Sequence, residues 1–137
     1  MKKQILTLVG VLSLMLAAGS AFAQSVNLNA DIPFGFVMAK QTMPAGHYTI
    51  KSVSERVLSL QGPDGKPVAM IIAHHVESAK PAERSKLVFQ RYGDRYFLAQ
   101  VWTSGNSAGE ELPKSPRESE IALDTQPQQV VVLASLR

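Results

Sequence analysis

The sequence predicts an all-β fold, an antiparallel meander of about seven strands forming a small sandwich or barrel, with one short helix near 116–124. Three observations predict it. Apolar residues occupy every even position from Val26 to Met38, the period-two signature of a strand with one face on a core. Met43-Pro44-Ala45-Gly46 and Gly62-Pro63-Asp64-Gly65 each place Pro second and Gly fourth, as tight turns require. Finally, Lys86 to Thr103 holds two runs rich in Val, Phe, Tyr, Leu and Trp on either side of Gly93-Asp94. That stretch is a hairpin in its own right, and Phe89, Tyr92, Tyr96, Phe97 and Trp102 all fall on it.

The chain begins with a targeting segment. Lys2 and Lys3 form a positive start, Ile5 to Ala18 is almost wholly apolar, and Ala21-Phe22-Ala23 puts small residues where a signal peptidase reads. Residues 1–23 are therefore expected to be a cleaved signal peptide and 24–137 a single β domain, periplasmic or secreted. The apolar core of the leader is short for a span of about 20 residues, so no membrane span is expected after cleavage. The whole chain carries a formal charge of +3, but losing Lys2 and Lys3 lowers its 14 basic residues to 12 against 11 acidic ones. A nearly neutral mature chain implies no nucleic-acid partner and little attraction to anionic lipid. Without a single cysteine it folds on its apolar core alone.

The elements follow in order. Pro33 cannot donate to a ladder and Gly35 suits a bulge, so the first strand is bent there or lies at an edge. Tyr48 and Ile50 share a face of the run from His47 to Val53, and Leu58 and Leu60 stand in register on the next. Val68 to Ala73 is continuously apolar, which predicts a central strand covered on both faces. Glu77 to Ser85 is polar loop. In the main hairpin a Gly at the first central position predicts a type II′ turn, pairing Tyr92 with Arg95, Arg91 with Tyr96, Phe89 with Leu98 and Leu87 with Gln100. Ser104 to Lys114 reads as a long mobile loop. Ser115-Pro116-Arg117-Glu118 has the form of a helix start, with Ser115 as N-cap, Pro116 first and Glu118 closing a capping box. Gln129 to Leu136 is a last strand expected in a sheet interior.

Little in the chain points to catalysis. Ser is never in a Gly-x-Ser-x-Gly elbow, the glycines at 105 and 109 lack a phosphate-loop context, and no carboxylate lies in an apolar stretch that would raise its pKa. His75 and Glu77 share a strand face, and with His47 they form the one set of residues suited to zinc, the basis of an alternative reading as a metal-dependent hydrolase. No metal or other cofactor is otherwise expected. The main hairpin offers a different possibility. Leu87, Phe89, Tyr96, Leu98 and Trp102 form its natural core face. Val88, Phe97, Ala99 and Val101, interleaved with Lys86, Gln90, Tyr92 and Arg95, form a mixed second face. Tyr92, Arg95, Phe97, Gln90 and Val101 are accordingly the candidate binding residues, for a sugar or an extended peptide, unless the 104–124 segment covers them. A third possibility is self-assembly through the edge of the first strand.

These motifs are also familiar together. Ile32 to Phe36 (IPFGF), Pro44-Ala45-Gly46 running into His47 to Ile50, the block from Leu87 to Trp102, and Gly109 to Ser115 (GEELPKS) resemble a group of small exported bacterial proteins with no assigned function. That group often has an acidic residue at the position of Gly35 and Leu at that of Met43. The resemblance implies export and a β-rich domain, and it carries over no catalytic residue. The expectation is an exported, non-enzymatic binding or structural protein whose partner is an envelope polysaccharide or protein.

Overall fold

A computed structural model describes residues 25–136. The expected signal peptide and its cleavage point after Ala23 lie outside the described residues. Two sheets pack face to face as a small sandwich and do not close into a barrel. The first runs in the order β12-β1-β4-β5-β6, from β1 (Asn27–Ile32), β4 (Gly46–Ser52), β5 (Val57–Gln61), β6 (Pro67–Ile72) and β12 (Ser135–Leu136). The second runs β11-β8-β9-β10-β7, from β7 (His74–Glu77), β8 (Lys86–Tyr92), β9 (Arg95–Trp102), β10 (Ala108–Glu111) and β11 (Gln128–Leu133). A short hairpin of β2 (Phe36–Met38) and β3 (Gln41–Met43) joins the second sheet through a parallel contact of Val37 with Phe97. The helix α1 spans Pro116–Asp124, where the sequence placed it.

The meander is interrupted wherever the chain changes sheets. Period two does continue from Val26 to Met38, but Pro33-Phe34-Gly35 carries the chain from β1 in one sheet to β2 in the other. Pro44-Ala45 returns it from β3 to β4 in the first sheet, a third crossing lies at Ala73, between β6 and β7, and a fourth at Ala134, between β11 and β12. The strand count exceeds the expected seven for this reason: several strands of two to four residues are the stubs these crossings leave. The core fills from both inner faces, with Leu28, Ile32, Ile50 and Leu60 on one side and Leu87, Phe89 and Leu98 on the other. Phe36 sits edge-on to both Tyr48 and Phe89, which couples the layers.

Several expectations change. Val68 to Ala73 is not a central strand, because β6 ends its sheet and leaves Met70 54% and Ile72 60% exposed. The expected last strand, Gln129 to Leu136, breaks at Ala134 into β11 and β12, and each lies at the edge of its sheet rather than in an interior. Ser104 to Lys114 is not all loop, since β10 pairs there with both β9 and β7. The first strand offers no free edge along its start, because β12 covers Leu28 and Asn29 while β4 pairs its other side.

The main hairpin turns at Gly93, whose φ is +65° while Asp94 stays on the negative side, as a type II′ turn needs. Tyr92 faces Arg95, Arg91 faces Tyr96 and Phe89 faces Leu98. Beyond them Ala99 is an extra residue, and the register shifts so that Leu87 meets Val101 and Val88 meets Gln100. One inserted residue turns over everything after it. Val101 therefore enters the core, where it is 1% exposed, and Trp102 moves to the opposite face. The extra residue is not left idle, because the Ala99 carbonyl accepts from the Leu112 amide at 2.8 Å.

Candidate functional site

The second face of the main hairpin is closed at its turn end. Tyr92 and Phe97 are buried, with their rings edge-on to each other, and the Tyr92 hydroxyl donates to Glu118 Oε2 at 2.9 Å. Helix α1 thus lies over this end of the face. Ser115 Oγ caps the helix by accepting from the Glu118 amide at 3.1 Å, but the Glu118 side chain takes Tyr92 instead of reaching back to close the box. Burial raises the Glu118 carboxyl above its ordinary range, opposed by the Tyr92 bond and the Lys114 charge. Burial together with Glu118 pushes the Tyr92 hydroxyl up to about 12.

Of the five candidate residues, Val101 is in the core and Tyr92 and Phe97 are covered, so the exposed aromatic surface expected of them does not form. Gln90 is half-buried between Phe97 and Gln129. Arg95 is exposed. Farther along the same face, Trp102 lies against Gly109, bonds Gln100 Oε1 through its indole N–H at 3.0 Å, and borders a cavity of about 480 Å³ with Val88 and Lys86.

The residues of the hydrolase alternative do not converge. His47, on β4, pairs with Asp31 at 2.7 Å, while His75, on β7, pairs with Glu110 at 2.9 Å, and these strands belong to different sheets. Glu77 is exposed on β7 two residues from His75. Among the described residues no three His, Asp or Glu side chains come together as a metal would need. Burial raises the Glu110 carboxyl, with His75 opposing the shift, and its Oε2 is buried without a hydrogen bond among the described residues.

A different site appears at the β2–β3 hairpin, at a turn made of residues that do not favour one. Ala39 and Lys40 both have positive φ, +53° and +65°, so Met38 to Gln41 form a type I′ turn without the Asn or Gly such turns select. Each non-glycine residue held left-handed costs roughly 1 kcal/mol, and backbone strain of this kind gathers at ligand-binding and active sites. The strained turn sets Lys40 between two adjoining cavities of about 350 and 620 Å³, which share Val37, Lys40, Phe97, Ser115 and Pro116 as walls.

The smaller cavity is mainly apolar. Met70, Ile71 and Ile72 from β6 face Leu98 and Leu112 across it, with Lys114 at its border. The larger is cationic and aromatic, with Arg95 and Arg117 beside Phe34 and Tyr96. Those two rings stack at 3.8 Å, and Arg91 lies over Tyr96 at 5.6 Å from the ring centre. Among the described residues Lys40, Arg95 and Arg117 have no carboxylate within ion-pair distance, although Asp94 lines the same cavity. Together the cavities form one groove, apolar at the β6 end and positive at the other.

Sequence reasoning named Arg95 and Phe97 but not the groove. Lys40 carried no signal, because Ala-Lys is not a turn pair, and Arg117 read only as a helix-start residue. Among the described residues no helix is long and apolar enough to cross a membrane. Comparison of the chain with protein-family models, curated proteins and solved structures finds no match.

Proposed function

We propose that this is an exported, non-enzymatic binding protein whose groove takes a ligand that is anionic at one end and apolar along the rest. The observation behind it is the placement of Lys40, Arg95 and Arg117 around one cavity without ion-pair partners among the described residues, with apolar β6 and Leu112 walls adjoining. Cations that outnumber the carboxylates around them, beside a partly dry wall, favour a ligand that brings both a charge and apolar surface. The strained Ala39-Lys40 turn supports the same location.

Calorimetric titration with dodecanoate and with dodecyltrimethylammonium, both below micelle formation, tests it. The carboxylate is expected to bind and the ammonium not. The triple variant Lys40→Glu, Arg95→Glu, Arg117→Glu should lose at least about tenfold in affinity for the carboxylate. Equal binding of the two amphiphiles, or an unchanged triple variant, contradicts the proposal.

A further inference from the structure

The open side of the sandwich points to what the ligand is. One side is closed by chain, where β11 passes through Ala134 into β12 and the Ala134 amide bonds the Ser85 carbonyl at 2.9 Å. On the other side β6 ends its sheet, and the smaller cavity runs beneath it toward Leu98 and Leu112. The C-terminal end of β6 crosses at Ala73 to the second sheet, so the opening is bounded there.

The free edge of β6 is competent to pair. The Ala73 amide bonds the Arg56 carbonyl of the neighbouring strand at 2.7 Å, in register with the pairs Val57–Ile72 and Ser59–Met70. Because antiparallel amides alternate in direction, Ile71 and Ala69 also point toward β5, whereas Met70 and Ile72 point their N–H groups to the open side. Proteins usually blunt such an edge with proline, lysine or a bulge. Here Pro67 and the register shift at Leu60/Gln61 blunt only the first part, and Val68 to Ile72 carries no charge.

We propose that the groove's ligand is an extended peptide segment of a partner protein, added as a strand to the edge of β6. Its backbone pairs with the Met70 and Ile72 amides, its inward apolar side chains enter the cavity, and an acidic residue reaches Lys40. Charge complementarity selects this occupant: an apolar edge alone would suit a second copy of the chain, but Lys40 beside it, without an ion-pair partner among the described residues, calls for a carboxylate. The segment matches β6 in length, roughly six residues or about 20 Å. This inference rests on the groove being the binding site.

Its test uses a synthetic peptide alternating Val and Thr and ending in Glu, the same peptide N-methylated at alternate backbone amides, and dodecanoate. The expected result is that the parent peptide binds and slows hydrogen exchange at Met70 and Ile72. N-methylation on the pairing edge should weaken it at least about tenfold, and dodecanoate should bind without protecting those amides. If both peptides bind alike, or the parent fails while dodecanoate binds, strand addition is wrong and the groove remains a binding site. If neither peptide nor dodecanoate binds, both proposals fall. If the protein alone sediments as a dimer with Met70 and Ile72 already protected, a second copy occupies the edge and the peptide proposal is overturned.

Discussion

The Tyr92 hydroxyl donates to Glu118 Oε2 at 2.9 Å, and through that bond the corner of the main hairpin holds the first turn of helix α1. Ser115 and Pro116, just before Glu118, wall both cavities of the groove. A contact made for packing therefore also sets the width of the proposed site.

Removing the donor should cost more than removing the charge. Tyr92→Phe leaves a buried carboxylate without its partner and is expected to lower stability by about 1–3 kcal/mol. Glu118→Gln keeps an acceptor for the hydroxyl and removes the buried charge, so it should be near neutral at pH 7. Urea unfolding of the two variants measures the difference.

The pH profile has a definite sign. A group whose folded pKa lies above its unfolded value holds its proton more tightly when folded, so its contribution is full below the unfolded pKa and is lost as pH rises through the folded one. Glu118 and Glu110 are both raised from 4.5, so their contributions should fade as pH climbs above 4.5. Tyr92, raised from 10.0 to about 12, should give a second loss over that interval. Unfolding free energy of the wild type minus that of Glu110→Gln/Glu118→Gln isolates the first fall, and comparison with Tyr92→Phe isolates the second.

Gly109 is required by Trp102. A Cβ at position 109 would lie 2.6 Å from the indole ring, closer than packed atoms come. Gly109→Ala should displace the ring, shift tryptophan fluorescence and destabilise by about 1–3 kcal/mol.

The strained turn trades stability for a cation. Ala39→Asn with Lys40→Gly supplies the residues a type I′ turn favours and should stabilise the fold by roughly 1 kcal/mol. The same double variant loses the Lys40 charge and should bind dodecanoate more weakly than wild type. Thermal unfolding and titration of one sample give both numbers.

Much of the architecture is legible in the residues themselves. Gly93 followed by Asp94 sets the hairpin corner and its first four pairs, and Ser115-Pro116 sets the helix start, because both depend on local backbone preference. The bulge at Ala99 is not legible: alternation through Leu98 and Gln100 reads the same with or without an extra residue, and so Val101 and Trp102 exchange faces. The apolar run of β6 shows that it can be buried, not that a neighbour lies beyond it. The groove is hidden for a related reason, since Lys40, Arg95 and Arg117 meet only through tertiary structure and no spacing in the chain joins them.

Amide chemical-shift mapping with dodecanoate tests the binding account most directly. Perturbations are expected to gather at residues 37–40, 70–72, 95–98 and 112–117, and to vanish in the Lys40→Glu, Arg95→Glu, Arg117→Glu variant. Shifts centred instead on Trp102 and the 78–84 loop, or none at all, would contradict it.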